Sequence, residues 1–400
     1  MGRGYVCVLP AVAGALMSVA FVQGAELPAL TTRPGQDWTS VEPIIIFRDP
    51  ARYVSFPDVK KLRDGRLLCV FRDAAFPDRI RHIEPDARVV GTLSSDSGKS
   101  WSKPFVIYDD PHCQNDPSVA LLRDGRLLLN FFNWEGRSEA YVAEHKPPHA
   151  RRVDLGEWGA FAVPGGTLLL AGGPDPRRWE PQARRLCKPG RRLFATSSST
   201  LETHAGTLLL PVYGRVPDRP ISQSYVLRSE DGGESWSDPV LIAKDSQGKV
   251  PMAEPALGQM FDGRIVALLR QTQGGRSGEA DDHLYTTSSM DDGKTWAEPE
   301  RTAMIGHPAD MQVLPDGKLL AVYGYRHEPW GVRACLSEDG IHWDRRQEYV
   351  VAAHGAHFDL GYPSVCLTDD GHVLIVYYMN SSEVRGRWIE GKRIPLDRFR

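Results

Sequence analysis

A short motif that returns at nearly even spacing constrains this chain more than any other feature. A turn followed by an apolar run occurs at Asp64-Gly65-Arg66-Leu67-Leu68, Asp124-Gly125-Arg126-Leu127-Leu128, Ala205-Gly206-Thr207-Leu208-Leu209, Asp262-Gly263-Arg264-Ile265-Val266, Asp316-Gly317-Lys318-Leu319-Leu320 and Asp370-Gly371-His372-Val373-Leu374. The turn glycines are separated by 60, 81, 57, 54 and 54 residues. Asp-Gly between two apolar runs marks a β-hairpin, because glycine supplies the positive φ of a tight turn. A second motif follows most of the hairpins: Ser94 to Trp101 (SSDSGKSW), Ser229 to Trp236 (SEDGGESW), Ser289 to Trp296 (SMDDGKTW) and a one-residue-shorter form, Ser337 to Trp343. Gly173 to Trp179 keeps the Asp-to-Trp spacing and reads as a degraded fifth copy. In this box the aspartate accepts backbone N–H groups within a tight loop and the tryptophan packs between strands, so its role is structural.

Each unit therefore reads strand, turn, strand, strand, box, strand, with almost no helical periodicity. Six units of four antiparallel strands predict an all-β, six-bladed β-propeller. An insertion in the second unit, roughly Asn133 to Gly166, accounts for the long interval. The last unit lacks a box, and the early strand Pro43 to Phe47 is expected to complete it and close the ring.

Inner propeller strands start near the central axis, so equivalent offsets should converge there. Nine residues before the turn glycines stand Phe56, Asp116, Ser197, Glu254, Pro308 and Tyr362; seven residues after them stand Arg72, Phe132, Tyr213, Arg270, Gly324 and Tyr378. A carboxylate, a phenol and two guanidiniums are thus expected around one mouth. A guanidinium fork matches a carboxylate in two-point contact, so the mouth suits an acidic ligand.

Boxes of the form S-x-D-x-G-x-x-W at blade spacing resemble those of the Asp-box (BNR repeat) propellers of the sialidase, or neuraminidase, superfamily, over about residues 41 to 385. The resemblance implies a retaining exo-glycosidase that removes a terminal acidic sugar from a glycan. Within it, Tyr362 in Gly361-Tyr362-Pro363 matches the nucleophile, Glu254 matches its base, and Arg270, sixteen residues later, matches an arginine that grips the sugar carboxylate. A neutral phenol suits an anomeric carbon that bears a carboxylate, which would repel Asp or Glu. A further arginine of the family falls on Arg326 or Arg333, with Arg326 favoured because it ends the inner hairpin.

The first blade departs from the pattern: the family has Phe/Tyr-Arg-Ile-Pro where this chain has Val54-Ser55-Phe56-Pro57. Arg72 is expected to restore the clamp by its offset. For the acid/base the candidates are Asp73, Asp78 and Asp86, near His82 and Glu84, with Asp86 preferred; Asp116 is expected to contact substrate hydroxyls or to cap its strand. Two rival readings remain, a propeller glycosidase for another terminal sugar and a non-catalytic carbohydrate binder, since one fold hosts many functions.

With 48 Lys+Arg against 51 Asp+Glu the net charge is −3, which excludes the basic field of a nucleic-acid binder. Residues 1–24 read as a signal peptide, with Arg3 before an apolar run from Tyr5 to Val22, leaving 25–400 as a single propeller domain that is secreted or periplasmic. No later segment is apolar for long enough to insert in a membrane. After cleavage five cysteines remain; Cys69, Cys335 and Cys366 read as buried apolar residues, and a Cys113–Cys187 bridge is the one pairing considered. No metal-ligand motif stands out, and a monomer without cofactor is expected.

Overall fold

The structure is a computed structural model that describes residues 36–76, 82–147, 149–186, 194–216, 219–271 and 282–399. The proposed signal peptide, Cys187 and Asp78 lie outside the described residues. Six antiparallel sheets follow one another along the chain, each built around four strands. Blade 1 runs from Arg52–Lys61 through Leu67–Ala75 and Arg88–Ser94 to Phe105–Tyr108. Blade 4 comprises Met252–Gln259, Ile265–Gln271, His283–Ser289 and Glu300–Ile305; blade 5 comprises Ala309–Val313, Leu319–Tyr325, Gly331–Ser337 and Glu348–Ala352.

The expected closure is present. Ile44–Arg48 lies antiparallel to Trp388–Pro395, with Ile44 opposite Gly391, and so forms the outer strand of blade 6. The first described strand thereby completes the last blade and ties the two ends of the described chain together. The hydrophobic core sits between adjacent blades: Val54, Leu67 and Phe71 of blade 1 pack on Leu374, Val376 and Tyr378 of blade 6. Strands covered on both faces explain the near-continuous apolar runs that follow each turn glycine.

The three full-length boxes share one set of serine and aspartate hydrogen bonds. Ser94 Oγ donates to Asp96 Oδ1 (2.8 Å) and accepts from Gly98 N (2.8 Å), while Asp96 Oδ1 also accepts from Ser100 N (2.9 Å). Trp101 Nε1 closes the loop on Gly98 O at 3.2 Å, and Trp236 repeats the contact on Gly233 O at 3.2 Å. In the degraded copy Trp179 Nε1 reaches Pro176 O at 2.9 Å, so the loop survives the loss of its serine.

Burial disfavours the charged form of Asp96, but hydrogen bonds from Ser100 and Ser94 outweigh it and bring its pKa down to about 2. A depressed carboxylate pKa contributes stability above the unfolded-state value, near 3.9, and loses it as pH falls through the folded value. Asp96→Asn should therefore lower Tm at neutral pH, with the difference from the parent shrinking between about pH 4 and pH 2. Thermal melts across that range check this.

In blade 2 the insertion lengthens a hairpin instead of adding a domain. Leu127–Arg137 and Phe161–Gly172 pair along their whole length, and a short helix, Glu139–His145, capped by Ser138, sits at the tip. Among the described residues no helix is long and apolar enough to cross a membrane.

Candidate active site

Four of the six residues at the axial offset share an unusual backbone. Phe56, Asp116, Glu254 and Tyr362 have φ of 55°, 47°, 49° and 44°, and a proline follows each. Each stands at a break in strand register, between Ser55 and Asp58, Asn115 and Ser118, Ala253 and Ala256, and Gly361 and Ser364. The bulge gives the inner strand an extra residue there and re-aims its side chain. A left-handed conformation costs a non-glycine residue about 1–3 kcal/mol, strain that is typical of functional sites. All four side chains line one cavity of about 650 Å³, a volume suited to a small ligand.

At the centre of that cavity Tyr362 Oη donates to Glu254 Oε1 at 3.0 Å. Arg270 Nη1 bridges Glu254 Oε1 (3.1 Å) and Oε2 (2.8 Å) and lies 3.4 Å from Tyr362 Oη. Arg270 stands opposite Ala253, so the Met252–Gln259/Ile265–Gln271 hairpin delivers the Glu254 carboxylate and the Arg270 guanidinium from adjacent positions. Arg326 enters from blade 5; its Nε donates to Leu360 O (3.1 Å), its Nη2 to Tyr378 Oη (3.3 Å), and its guanidinium carbon is 5.4 Å from the centre of the Tyr362 ring. Phe56 meets that ring edge-on at 4.7 Å.

The electrostatics follow from this crowding. Burial, and then the charges of Glu254 and Asp116, push the Tyr362 phenol well above its ordinary range. Burial and the charge of Glu254 likewise raise the Asp116 carboxyl well above the usual carboxylate value, despite the nearby arginines. The cavity thus holds a phenol hydrogen-bonded to a carboxylate, a second carboxyl whose protonated form is favoured by burial, and two guanidiniums.

A family model described as a BNR repeat-like domain matches residues 173–375, just over half of the chain. This chain belongs to the BNR repeat-like family. No curated protein matches its sequence. Among solved structures, a Dyadobacter fermentans protein of unknown function aligns with TM-score 0.77 and 27% identity over 88% of this chain and 97% of its own. The NanB sialidase of Streptococcus pneumoniae aligns with TM-score 0.64 and 13% identity, covering 88% of this chain and 70% of the sialidase chain. An intramolecular trans-sialidase from Ruminococcus gnavus gives TM-score 0.61 and 13% identity, covering 90% and 98%. At that identity the two enzymes establish a shared fold, that of the sialidase-type propeller.

The structure of this BNR repeat-like chain brings Tyr362, Glu254, Arg270, Arg326 and Asp116 together, and it separates two other residues from them. Arg72 does not reach the cavity. It has the expected register, opposite Ser55, but the bulge residue beside it is Phe56, not a carboxylate. Its guanidinium turns inward instead, pairs with Glu84, donates to Gln114 O at 3.2 Å and is fully buried. Asp86 is also displaced from the mouth: its half-exposed carboxylate accepts from Ala75 N (2.7 Å) and lies 3.5 Å from Arg52. Asp73 is held between Arg52 and Arg88. Arg333 donates to Val332 O and Ala352 O and stacks on Tyr325 at 4.2 Å, which makes it a strut between strands.

The first-blade loop contributes His82 and Ile83 to the cavity instead. His82 lies with Nε2 3.5 Å from Asp359 Oδ1 and Nδ1 3.3 Å from Tyr53 Oη. The blade 2 extension supplies Trp134 and Arg151, the latter's guanidinium 4.8 Å above the Trp134 ring. Sequence reasoning looked to the first-blade loop for a carboxylate, where His82 enters instead, and missed the blade 2 wall, because an insertion carries no repeat offset to count from.

Proposed function

We propose that this protein is a retaining exo-glycosidase that releases a terminal acidic sugar, with sialosides as its first substrate class. The contact that carries the reading is Tyr362 Oη on Glu254 Oε1, with Arg270 against both. In this reaction Tyr362 attacks the anomeric carbon, Glu254 takes its proton, and water later hydrolyses the tyrosyl-glycoside with Glu254 assisting departure of the phenol. Arg270 and Arg326 hold the sugar carboxylate by charge-assisted hydrogen bonds.

The proton for the departing oxygen is assigned to Asp116, in place of Asp86. Burial shifts the Asp116 carboxyl upward, toward the protonated form that a general acid needs, and Asp116 lines the cavity that Asp86 does not enter. The protein is proposed to act outside the cytoplasm, as the apolar N-terminal segment suggests.

The experiment is hydrolysis of a fluorogenic sialoside beside a panel of other exo-glycosides by purified protein. Sialoside turnover supports the reading, and turnover of a different glycoside alone transfers the same machinery to another terminal sugar. That second reading has a specific observation behind it: Ser55 stands where the family has an arginine, and its axial neighbour is the apolar Phe56. Saturable glycan binding without product on the whole panel would overturn the enzyme reading. On an acidic substrate, Arg326→Met should raise KM by about 10- to 100-fold, the loss of one charge-assisted contact. On a neutral glycoside it should leave KM nearly unchanged.

A further inference from the structure

Behind the two cavity arginines lies a cluster that the reaction does not use. Asp282, His307 and His327 are all buried, and their ligand atoms lie within 4.8 Å of one another. His307 Nε2 is 3.2 Å and His327 Nε2 is 3.6 Å from the same oxygen, Asp282 Oδ2. Neither contact has the geometry of a hydrogen bond. Both nitrogens of His307 and Nε2 of His327 are without a hydrogen-bond partner among the described residues. His307 is only 1% exposed, so bulk solvent does not reach these atoms, and buried polar groups are seldom left without a partner.

We propose that Asp282, His307 and His327 form a binding site for a divalent transition-metal ion of the zinc class. Four ligand atoms placed tetrahedrally at about 2.1 Å from zinc are about 3.4 Å apart, which is the spacing of both imidazole nitrogens from the carboxylate oxygen. Two imidazoles and one carboxylate suit zinc, cobalt or iron(II) and not the all-oxygen preference of calcium or magnesium. Arg270 and Arg326 lie near enough to His307 for their charges to be felt there. The same arginines oppose a cation, an effect offset by Asp282 itself and by Glu254, which neutralises Arg270.

The chain is shaped to bring these groups together. Asp282 precedes the third strand of blade 4, His307 lies in the connection to blade 5, and His327 follows Arg326 at the end of the second strand of blade 5. Gly306 N donates to Asp282 O (2.8 Å) and His307 N to Gly324 O (2.9 Å). A Cβ at Gly306 would come within 2.4 Å of the Tyr323 ring, so glycine is what allows the approach. The ion would tie together the blades that supply Arg270 and Arg326, which makes its role one of positioning and stability.

The test is independent of any glycosidase activity. Tag-free protein is stripped with a chelator and titrated with Zn²⁺ by calorimetry, and with Co²⁺ while its visible spectrum is recorded. The expected result is one equivalent bound, a Co²⁺ spectrum with the intense bands of a four-coordinate site, a Tm several degrees higher with Zn²⁺, and no response to Ca²⁺ or Mg²⁺. His307→Gln and His327→Gln, each confirmed as folded by circular dichroism, should lose the bound equivalent and the Tm shift. The proposal is overturned if the parent protein binds neither ion at micromolar concentration, or if both folded variants bind as the parent does. The parent titration decides the matter even where a variant fails to fold.

Discussion

Tyr362→Phe should cut turnover of whichever glycoside the protein cleaves by on the order of 10⁴-fold, with little change in KM and none in fold. The phenol oxygen has two polar contacts, Glu254 at 3.0 Å and Arg270 at 3.4 Å. Its removal leaves Glu254 still paired with Arg270, so no buried charge loses its partner. The ring remains between Phe56 and the Arg326 guanidinium, and the bulge backbone, set by the following proline, does not depend on the hydroxyl. Loss in kcat alone identifies a group that acts in the bond-making step and not in ground-state binding. Single-turnover measurements with a fluorogenic glycoside check it; a variant that keeps even a tenth of parental kcat would remove Tyr362 from the nucleophile's role and with it the assignment of Glu254 as base.

Why some of this was readable beforehand and some was not follows from what a repeat encodes. The turn glycines set hairpin positions, and four of the six blades share the same register break, so counting from glycine finds the backbone of Glu254, Arg270 and Tyr362. The bulge reinforces the count, since a residue before proline at that offset recurs four times. Register does not fix side-chain direction. Arg72 and Arg270 occupy equivalent positions, yet one turns to the carboxylate on its own bulge and the other, facing Phe56, turns to Glu84. Asp86 departs from expectation for a related reason: its loop has no counterpart in the other blades, and one of its carboxylate oxygens accepts from Ala75 N. The Asp282–His307–His327 cluster is invisible in the repeat because its members come from three non-equivalent positions. Only the path of the chain across blades 4 and 5 brings them within reach.

The ion pair that displaced Arg72 from the site makes the second large prediction. Arg72 is fully buried, with a Tyr53 ring 5.5 Å from its guanidinium carbon, and Glu84 is its charged partner. Glu84→Ala leaves a guanidinium in the interior without a counter-charge, and that should cost about 3–5 kcal/mol of stability. Urea unfolding measures it as a lower midpoint at constant slope. Arg72→Met combined with Glu84→Leu removes both charges and should recover most of the loss, because burying an ion pair itself carries a desolvation penalty. The double variant also separates the two roles considered for Arg72. A residue that grips the substrate carboxylate would raise KM when removed, whereas one that props the first-blade loop leaves KM unchanged once the packing is restored. Unaltered KM in the double variant, beside a raised KM in Arg326→Met, is the expected pair of results. The reverse pair would return Arg72 to the carboxylate clamp.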